Sequence, residues 1–543
     1  MNQDPVPVES DQRSPWIALA EIAALLTLFF IYAGDPPPAV NEAHYWVKAK
    51  NFWDPTFCDQ DLFVTSAKAH TTFYWTLGWL TQIASLETSI WIARVVGWLM
   101  LAVGLQRCCR AFGLAAFQCL GVAVLWIVGI EYGNFAGEWV VGGIEAKVPA
   151  YALVLAGFAA IANRNWSLGW IWLGGASAFH VLTGGWAVIA ACIAFVVTER
   201  ISPDSDQTRA RFFSSGLFLG GALSLLGLWP AIRLTLGVSP ADSIAAAKIY
   251  SYMRIRHHLL PGDFPTWWYV RHGILVVSML SVLALRRHHD RRQRRVAWIG
   301  VGALVIAGCG LIVGLLPPHA PDLAAKLLRY YWFRLSDAVV PLVLALWICQ
   351  ALRTGGNDAQ PWPAQRWAAA LVLLLSVGLF VASAYQRNHL QIPVSTSHHM
   401  LGVHPDADAA KQRQSHADWI AVCDWIKLAT PPEEVLLTPR HQQTFKWYAH
   451  RAEVVNWKDV PQDAASLIEW ERRFEEIYPA RLGKVRVTIQ YSKLREFRTQ
   501  YGVRLMVVDN RVTGDHLPLV KLYPTAGQRN ATYSVYELPQ ASK

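Results

Sequence analysis

The sequence predicts an all-α polytopic membrane bundle of about 11 spans, followed by a C-terminal extracytoplasmic α/β domain. Of the 543 residues, 53% are apolar and only 16% are charged, which leaves too little polar surface to cover a soluble globule of this size. Uncharged windows long enough for a membrane helix, which needs roughly 20 apolar residues, recur from residue 16 to residue 385. Beyond residue 385 the apolar runs are short, so 386–543 is expected to fold as a separate domain.

Basic residues set the predicted orientation of the bundle. The segment 286–295 reads RRHHDRRQRR and is expected on the cytoplasmic side by the positive-inside rule. When the membrane crossings are counted in both directions from this segment, residues 1–15 form a cytoplasmic tail, 16–385 the membrane domain and 386–543 an extracytoplasmic domain. The predicted spans are 16–33, 90–105, 114–130, 148–162, 166–179, 184–197, 212–229, 270–285, 298–316, 337–352 and 367–385.

The apolar stretch 70–86 cannot span without reversing every later loop. We therefore expect it to form an amphipathic or re-entrant helix on the outer surface. The outer loops are then 34–69, 131–147, 237–269 and 317–336. Function is expected where these loops converge, because irregular backbone at membrane depth is tolerated only around a cavity.

The first outer loop carries Glu42 directly after the first span. A carboxylate at the bilayer edge beside aromatic residues is poised for a raised pKa, so Glu42 is the candidate general base or metal ligand. The alternative is a helix N-terminal acid that the macrodipole favours. His44, Tyr45 and the intramembrane His180 are expected to line a pocket or contact an acceptor.

The second outer loop carries three acids in a glycine-containing segment. Glu138 and Glu145 are predicted to form a second acidic site, and Lys147 to contact phosphate. An equally weighted alternative is that Glu145 and Lys147 form a rim ion pair of little energetic value.

Cationic residues of the third and fourth loops are typical of a phosphate or lipid-carrier site. The alternatives are an interfacial segment attracted to anionic lipids and an aromatic belt with snorkelling arginines. Adjacent histidines are expected to point to different faces of a helix, which argues against a two-histidine metal site. The predicted binding residues are Arg254, Arg256, His257, His258, Arg329 and Arg334.

The tail alternates predicted helices (417–428, 443–450, 464–478) with predicted strands (434–438, 452–456, 505–509, 533–538). This alternation is typical of a small α/β layer structure. No G-x-G-x-x-G motif or phosphate loop occurs in the sequence, so nucleotide binding is unsupported. We expect a lid or recognition module.

The order of these segments resembles the GT-C class of membrane glycosyltransferases, which includes protein mannosyltransferases and aminoarabinose transferases. Asn-Glu-Ala-His-Tyr at 41–45 stands where that class has its first acidic motif, 70–86 where it has a juxtamembrane helix, and Trp-Ile-Ala-Arg at 91–94 where a Trp-x-x-Arg entry to the next span is common. The resemblance covers the membrane part, about two thirds of the chain. It departs at Asn41, which leaves Glu42 as the only acid of the pair.

The resemblance implies transfer of a sugar from a polyprenyl-phosphate donor to an acceptor at the outer face of the cytoplasmic membrane. Glu42 would take the acceptor proton while Arg or Lys neutralises the departing phosphate, so Glu42→Gln should nearly silence transfer while sparing folding. The implied partners are a polyprenyl-phosphate-linked sugar and the bilayer, and no nucleic acid. No cofactor follows from the residues, and a divalent ion, Mg²⁺ or Mn²⁺, stays open.

Two other classes of function remain open from the sequence. One is a transporter or flippase of a lipid-linked or anionic substrate, which predicts internal repeats that the sequence does not show convincingly. The other is a non-enzymatic membrane scaffold. Clustering of the outer acids and arginines around one cavity would favour the enzyme.

Overall fold

This computed structural model describes residues 14–201, 210–285, 290–352, 363–393, 408–478, 490–514 and 516–540. Residues 286–289 of the predicted basic segment lie outside this description. The N-terminal part is helical, with shorter helices in its loops. Its α-helices are α1 (Pro15–Ala33), α2 (Glu42–Trp53), α3 (Leu62–Thr65), α4 (Thr71–Thr76), α5 (Leu86–Phe112), α6 (Gln118–Gly133), α7 (Lys147–Ala162), α8 (Trp166–Phe179), α9 (Val181–Val196), α10 (Ser215–Arg233), α11 (Pro240–Lys248), α12 (Arg256–Leu259), α13 (Thr266–Leu285), α14 (Arg291–Val313), α15 (Pro321–Leu328), α16 (Arg334–Ala351) and α17 (Pro363–Asn388).

Eight of these helices are long and apolar enough to cross a membrane, counting only the described residues: α1, α5, α9 with its π-helical continuation to Ile201, α10, α13, α14, α16 and α17. The predicted membrane-embedded helical bundle is therefore confirmed. Three further predicted spans correspond to the shorter helices α6, α7 and α8, of 16, 16 and 14 residues. The count of about 11 spans stays a prediction.

Small residues let the membrane helices approach closely. A Cβ atom placed on Gly174 of α8 would lie 2.0 Å from the carbonyl oxygen of Gly220 on α10. Between α5 and α7, a Cβ on Gly104 would lie 2.6 Å from the carbonyl oxygen of Ala152. Lipid offers no hydrophobic drive for helix association, so such close packing supplies the attraction instead.

Buried acids join the segments that the charge pattern places on the cytoplasmic side. Glu199 accepts hydrogen bonds from Arg164, Trp166 and Arg295. Arg164 and Arg295 belong to two other predicted inner segments, and Trp166 is the first residue of a predicted span. Glu21 of α1 is bound by Gln106 and Arg110 of α5 and by a backbone amide at Phe117. Each cluster joins predicted inner segments to their neighbours, while the cytoplasmic location of these segments stays a prediction.

The stretch 70–86 is broken rather than continuous. It forms α4, then a 3₁₀ helix at Gly78–Gln82, and α5 begins at Leu86. Ser85 ends the irregular segment because its hydroxyl accepts from the Thr88 amide as the N-cap of α5. The prediction of a single helix over this stretch is therefore wrong. Neither α4 nor the 3₁₀ helix is long enough to span a membrane, however.

The tail has a five-stranded sheet, β1 (Val435–Leu437), β2 (Ala452–Glu453), β3 (Leu505–Asp509), β4 (Val520–Tyr523) and β5 (Tyr533–Glu537), in the order β2-β1-β3-β5-β4. Strand β1 is parallel to β2 and β3, whereas β5 is antiparallel to β3 and β4. Its helices are α18 (Ala409–Ala429), α19 (Phe445–Ala449), α20 (Ala464–Ile477), α21 (Tyr491–Tyr501) and α22 (Asn510–Thr513).

The predicted α/β layer structure of the tail is confirmed. Two apolar clusters cover the sheet, one around Trp470 and Phe474 and the other around Trp419 and Phe445. The sequence analysis missed α21 and β4. Strand β4 is short and largely exposed, whereas α21 carries Leu494, Phe497 and Tyr501 at helical spacing, an apolar signal among mostly polar residues.

The tail packs on the first and third predicted outer loops. Ala246 and Ile249 belong to the same apolar cluster as Trp470, and Gln443 donates to the carbonyl oxygen of Val40. An ion pair joins Lys446 to Asp61 at 3.3 Å. The tail therefore lies on the same side of the bundle as those loops, while its extracytoplasmic location stays a prediction.

Candidate functional site

A cavity of about 840 Å³ lies where the four predicted outer loops meet the tail. Of the thirteen residues that the sequence proposed for the site, eleven line this cavity and two, Glu42 and Arg256, do not. The eleven are His44, Tyr45, Glu138, Glu145, Lys147, His180, Arg254, His257, His258, Arg329 and Arg334.

Two carboxylates and two cations form a buried network on the cavity wall. Lys147 Nζ lies 2.6 Å from Glu138 Oε1 and 3.1 Å from Glu145 Oε1. Arg334 Nε lies 2.7 Å from Glu138 Oε2, and Asn41 Nδ2 donates to Glu145 Oε2 at 2.9 Å. Glu145 and Lys147 are 4% and 5% exposed, so the alternative of a solvated rim pair does not describe them.

Helix termini place these groups. Lys147 is the first residue of α7 and Arg334 the first residue of α16. The loop before α7 is held by Asp337, whose carboxylate accepts from the amides of Phe135 and Ala136 at 2.6 and 2.8 Å. The sequence analysis assigned Asp337 only to the start of a span, although an acid inside an apolar helix is itself a signal of function.

Two stacked imidazoles extend the network. The rings of His70 and His180 are 5.4 Å apart, and Arg334 Nη1 lies 2.8 Å from His180 Nε2. A guanidinium only donates, so His180 Nε2 accepts from Arg334, while Nδ1 lies 3.2 Å from the donating amide of Thr183 and 3.1 Å from its Oγ1. Burial, with Arg334 nearby, lowers the pKa of His70 to about 4, which keeps this imidazole neutral at physiological pH.

His257 and His258 both line the cavity, with ring centroids 4.1 Å apart. The expectation that they point to different faces is wrong, because α12 is a single turn in a compact loop. Burial lowers the pKa of His257 to about 4 and that of His258 to about 3. Both are therefore polar but uncharged groups at neutral pH, and His258 Nδ1 lies 2.5 Å from the carbonyl oxygen of Ala136.

Positive charge exceeds negative charge around the cavity. Arg254 lies 4.9 Å above the Trp457 ring and donates to its carbonyl oxygen at 2.7 Å, while Arg329 lies over Tyr250. In the described part of the chain, neither arginine pairs with a carboxylate, and neither does Lys458 from the tail. The cationic lining residues are Lys48, Lys147, Arg254, Lys326, Arg329, Arg334 and Lys458, against the carboxylates of Glu138, Glu145 and Asp337.

Glu42 lies apart from this cavity, in a sealed ion pair. Arg94 binds it in a bidentate manner, Nε to Oε1 at 2.7 Å and Nη2 to Oε2 at 2.6 Å. The amides of Ala39 and Ile144 each donate to one of its oxygens at 2.7 Å. Glu42 is 1% exposed and Arg94 0%, so the geometry does not support the predicted base, which stays a prediction.

Arg256 is the other predicted residue outside the cavity. Its guanidinium pairs with Asp263, and its side chain is 55% exposed. The backbone turns between Arg254 and Arg256, so that two arginines two residues apart face different surroundings. The sequence analysis could not separate them, since both follow the same cationic pattern.

The described residues around the cavity do not fit a divalent cation. Among the described residues, no three His, Cys, Asp or Glu side chains are grouped as metal ligands. Glu138 and Glu145 each contact Lys147, whose ammonium takes the place that a metal would need.

Comparison with known proteins identifies the fold. Residues 417–477 match a model of a domain of unknown function, DUF6798. No curated protein sequence matches this chain. Among solved structures, the crystal structure of ArnT from Cupriavidus metallidurans bound to undecaprenyl phosphate superposes with a TM-score of 0.50 and 12% identity, covering 98% of this chain and 100% of ArnT.

Two other solved structures are also similar. The arabinofuranosyltransferase AftD from Mycobacteria gives a TM-score of 0.47 at 14% identity, covering 100% of this chain and 42% of AftD. The archaeal oligosaccharyltransferase AglB from Archaeoglobus fulgidus, in complex with an inhibitory peptide and a dolichol-phosphate, gives 0.43 at 9% identity, covering 91% of this chain and 70% of AglB. The chain has a GT-C-like fold, and the resemblance drawn from the sequence is confirmed at that level.

Proposed function

We propose that this protein is a membrane glycosyltransferase that moves a sugar from a polyprenyl-phosphate donor to an acceptor at the outer face of the cytoplasmic membrane. The observation that carries the proposal is the single cavity in which unpaired cations and buried carboxylates face each other. Such a site suits a reaction in which a phosphate leaves and a hydroxyl loses its proton. The GT-C-like fold and the undecaprenyl phosphate bound to ArnT support the same class of donor.

The cationic side of the cavity suits the carrier phosphate. Arg254 and Arg329 have no carboxylate partner in the described chain, so a phosphate would not have to displace an acid. An apolar wall from the end of α10, including Leu228, Ala231 and Ile232, lines the same cavity. This wall provides a path for a polyprenyl chain, because an isoprenoid avoids water while its phosphate stays with the arginines.

Glu145 is the residue we assign as general base. Its Oε2 is held by the neutral amide of Asn41, whereas both oxygens of Glu138 lie against cations. An acceptor hydroxyl can replace a neutral hydrogen bond more easily than a charge-assisted one. The acceptor oxygen would bond to the anomeric carbon, its proton would pass to Glu145, and the electron pair of the broken C–O bond would leave with the carrier phosphate.

Release of the carrier tests the proposal. Protein purified in detergent is incubated with an acceptor mixture and a panel of polyprenyl-phosphate sugars, and free polyprenyl phosphate is measured. Release that depends on the protein and on Glu145 supports the transferase. Transbilayer movement of intact donors in proteoliposomes, without any cleavage, would overturn it in favour of a flippase.

A further inference from the structure

The turn Asn456–Asp459 of the tail is held rigidly at the mouth of the cavity. Asn456 donates to the carbonyl oxygen of Gln442 at 2.7 Å, and its own carbonyl oxygen accepts from Trp470 at 2.9 Å. The amide of Lys458 donates to Asn456 Oδ1 at 2.8 Å. The backbone of this turn is therefore fixed by contacts that do not use the Lys458 side chain.

Within the turn, neighbouring residues point to different environments. Asp459 lies 2.5 Å from Lys446, in a buried cluster that also holds Asp61 and Glu453. Lys458 instead lines the cavity, and no carboxylate of the described chain pairs with it. The buried Lys446 is thus surrounded by three acids, whereas the half-buried Lys458, twelve residues later, faces the site.

An unpaired ammonium in a largely buried position is unfavourable unless an anion completes its surroundings. Arg254 lies nearby, anchored to the backbone and ring of Trp457, the residue just before Lys458. Lys458 on the anchored turn and Arg254 beside it can together bind the two or three oxygens of a phosphate group.

We propose that the tail domain completes the donor site, with Lys458 and Arg254 together binding the phosphate of the lipid carrier. The inference rests on the proposed function, which it deepens by giving the tail a direct part in substrate binding. Lys458 lies within residues 417–477, the segment that matches DUF6798, so this segment would bind substrate in addition to covering the cavity.

The charge of Lys458 makes the inference sensitive to pH. Burial, and then Arg254 and Lys147, lower the pKa of Lys458 to about 8, against the opposing effect of Glu145 and Asp459. The other titratable groups of the cavity near it are the imidazoles of His44, His257 and His258, whose pKa values lie well below neutrality, and Lys48, whose pKa burial lowers to about 7. Affinity for phosphate should therefore be high below pH 8 and fall as the pH rises through 8, where Lys458 loses its proton.

Binding of undecaprenyl phosphate to the full-length protein in detergent micelles tests the proposal without requiring catalysis. Lys458→Met should weaken binding by roughly 10- to 100-fold, the loss expected for one charge-assisted contact. Binding of undecaprenol, which lacks the phosphate, should be unchanged, and so should binding by Lys427→Met, a control at an exposed tail lysine. Competition between inorganic phosphate and undecaprenyl phosphate shows whether the site binds the phosphate headgroup without the polyprenyl chain.

The pH profile gives a second readout that does not depend on a destabilised variant. Wild-type affinity should fall by about tenfold from pH 7 to pH 9, as a group with a pKa near 8 discharges. Lys458→Arg keeps its charge and should lose this dependence. Wild-type affinity in folded Lys458→Met, or a flat wild-type profile, would overturn the role of Lys458. Phosphate-dependent binding without any transfer would overturn the proposed function and leave the role of Lys458 standing.

Discussion

Glu42 and Glu145 are both buried acids in predicted outer loops, but their surroundings differ. Four donors occupy the oxygens of Glu42, two of them from Arg94, and Glu42 does not line the cavity. Glu145 lines the cavity and shares Lys147 with Glu138, with one neutral amide on its second oxygen. Burial at the predicted bilayer edge therefore does not identify a catalytic acid, because a carboxylate needs an oxygen that substrate can reach.

The largest expected effect is on catalysis, at Glu145. Glu145→Gln keeps the shape and the amide contact but removes the proton acceptor, so transfer should fall by about 10² to 10⁴, the usual contribution of general-base catalysis. Carrier release from a polyprenyl-phosphate sugar measures this. Glu87→Gln, the same change at an exposed acid in the first turn of α5, should keep wild-type activity. Full activity in Glu145→Gln would remove Glu145 from the mechanism.

Glu42→Gln should act on stability. It leaves the guanidinium of Arg94 buried without its charge partner, a change that typically costs about 3 to 5 kcal/mol. The thermal unfolding midpoint in detergent should drop, while the molecules that remain folded keep their activity. A folded, stable and inactive Glu42→Gln protein would return the base to Glu42, as the sequence first predicted.

A smaller, pH-dependent effect on stability is expected at the interface between the tail and the first predicted outer loop. Burial, together with Asp459 and Asp61, raises the pKa of Glu453 to about 7 from an ordinary value of 4.5, against the lowering effect of Lys446. Glu453 therefore keeps its carboxyl proton in the folded protein at pH values at which the same group is ionised in the unfolded chain. The stability it contributes is full below pH 4.5 and is lost as the pH rises through 7.

Thermal unfolding between pH 5 and pH 8 checks this dependence. The wild-type midpoint should fall across the range, and Glu453→Gln should reduce the slope, because it cannot titrate. Some slope should persist in the variant, since the pKa of Asp459 is raised as well. An unchanged slope in Glu453→Gln would show that the Lys446 cluster does not control docking of the tail.

The smallest effect is expected at Arg256. Its exposed pair with Asp263 resembles surface ion pairs, which contribute about 0 to 1 kcal/mol, so Arg256→Gln should change neither stability nor carrier binding measurably. Arg254→Gln should weaken binding of undecaprenyl phosphate, although the two residues are only two positions apart. Equal losses in both variants would contradict the placement of the phosphate beside Arg254.

Sequence patterns were sufficient to predict the helical bundle and the alternating tail, and eleven of the thirteen site residues proposed from them line the cavity. Apolar windows, strand and helix periodicity and clustered charge are local patterns, and they identified loops whose polar side chains do converge. The Trp-x-x-Arg motif also contained the partner of Glu42, Arg94, without revealing that the two would meet. Residues far apart in the chain can pair only once the helices between them have packed.

Which polar groups face the cavity depends on contacts between segments that are distant in the chain. Residues of the same type therefore have different roles. Glu42 is a buried ion-pair partner, whereas Glu145 lines the cavity. Lys446 lies in a cluster of acids, whereas Lys458 faces the site. Local sequence carries no record of these outcomes, because each depends on donors from distant loops. Whether a buried charge is neutralised by the protein or left for a ligand is settled by the contacts that folding brings together.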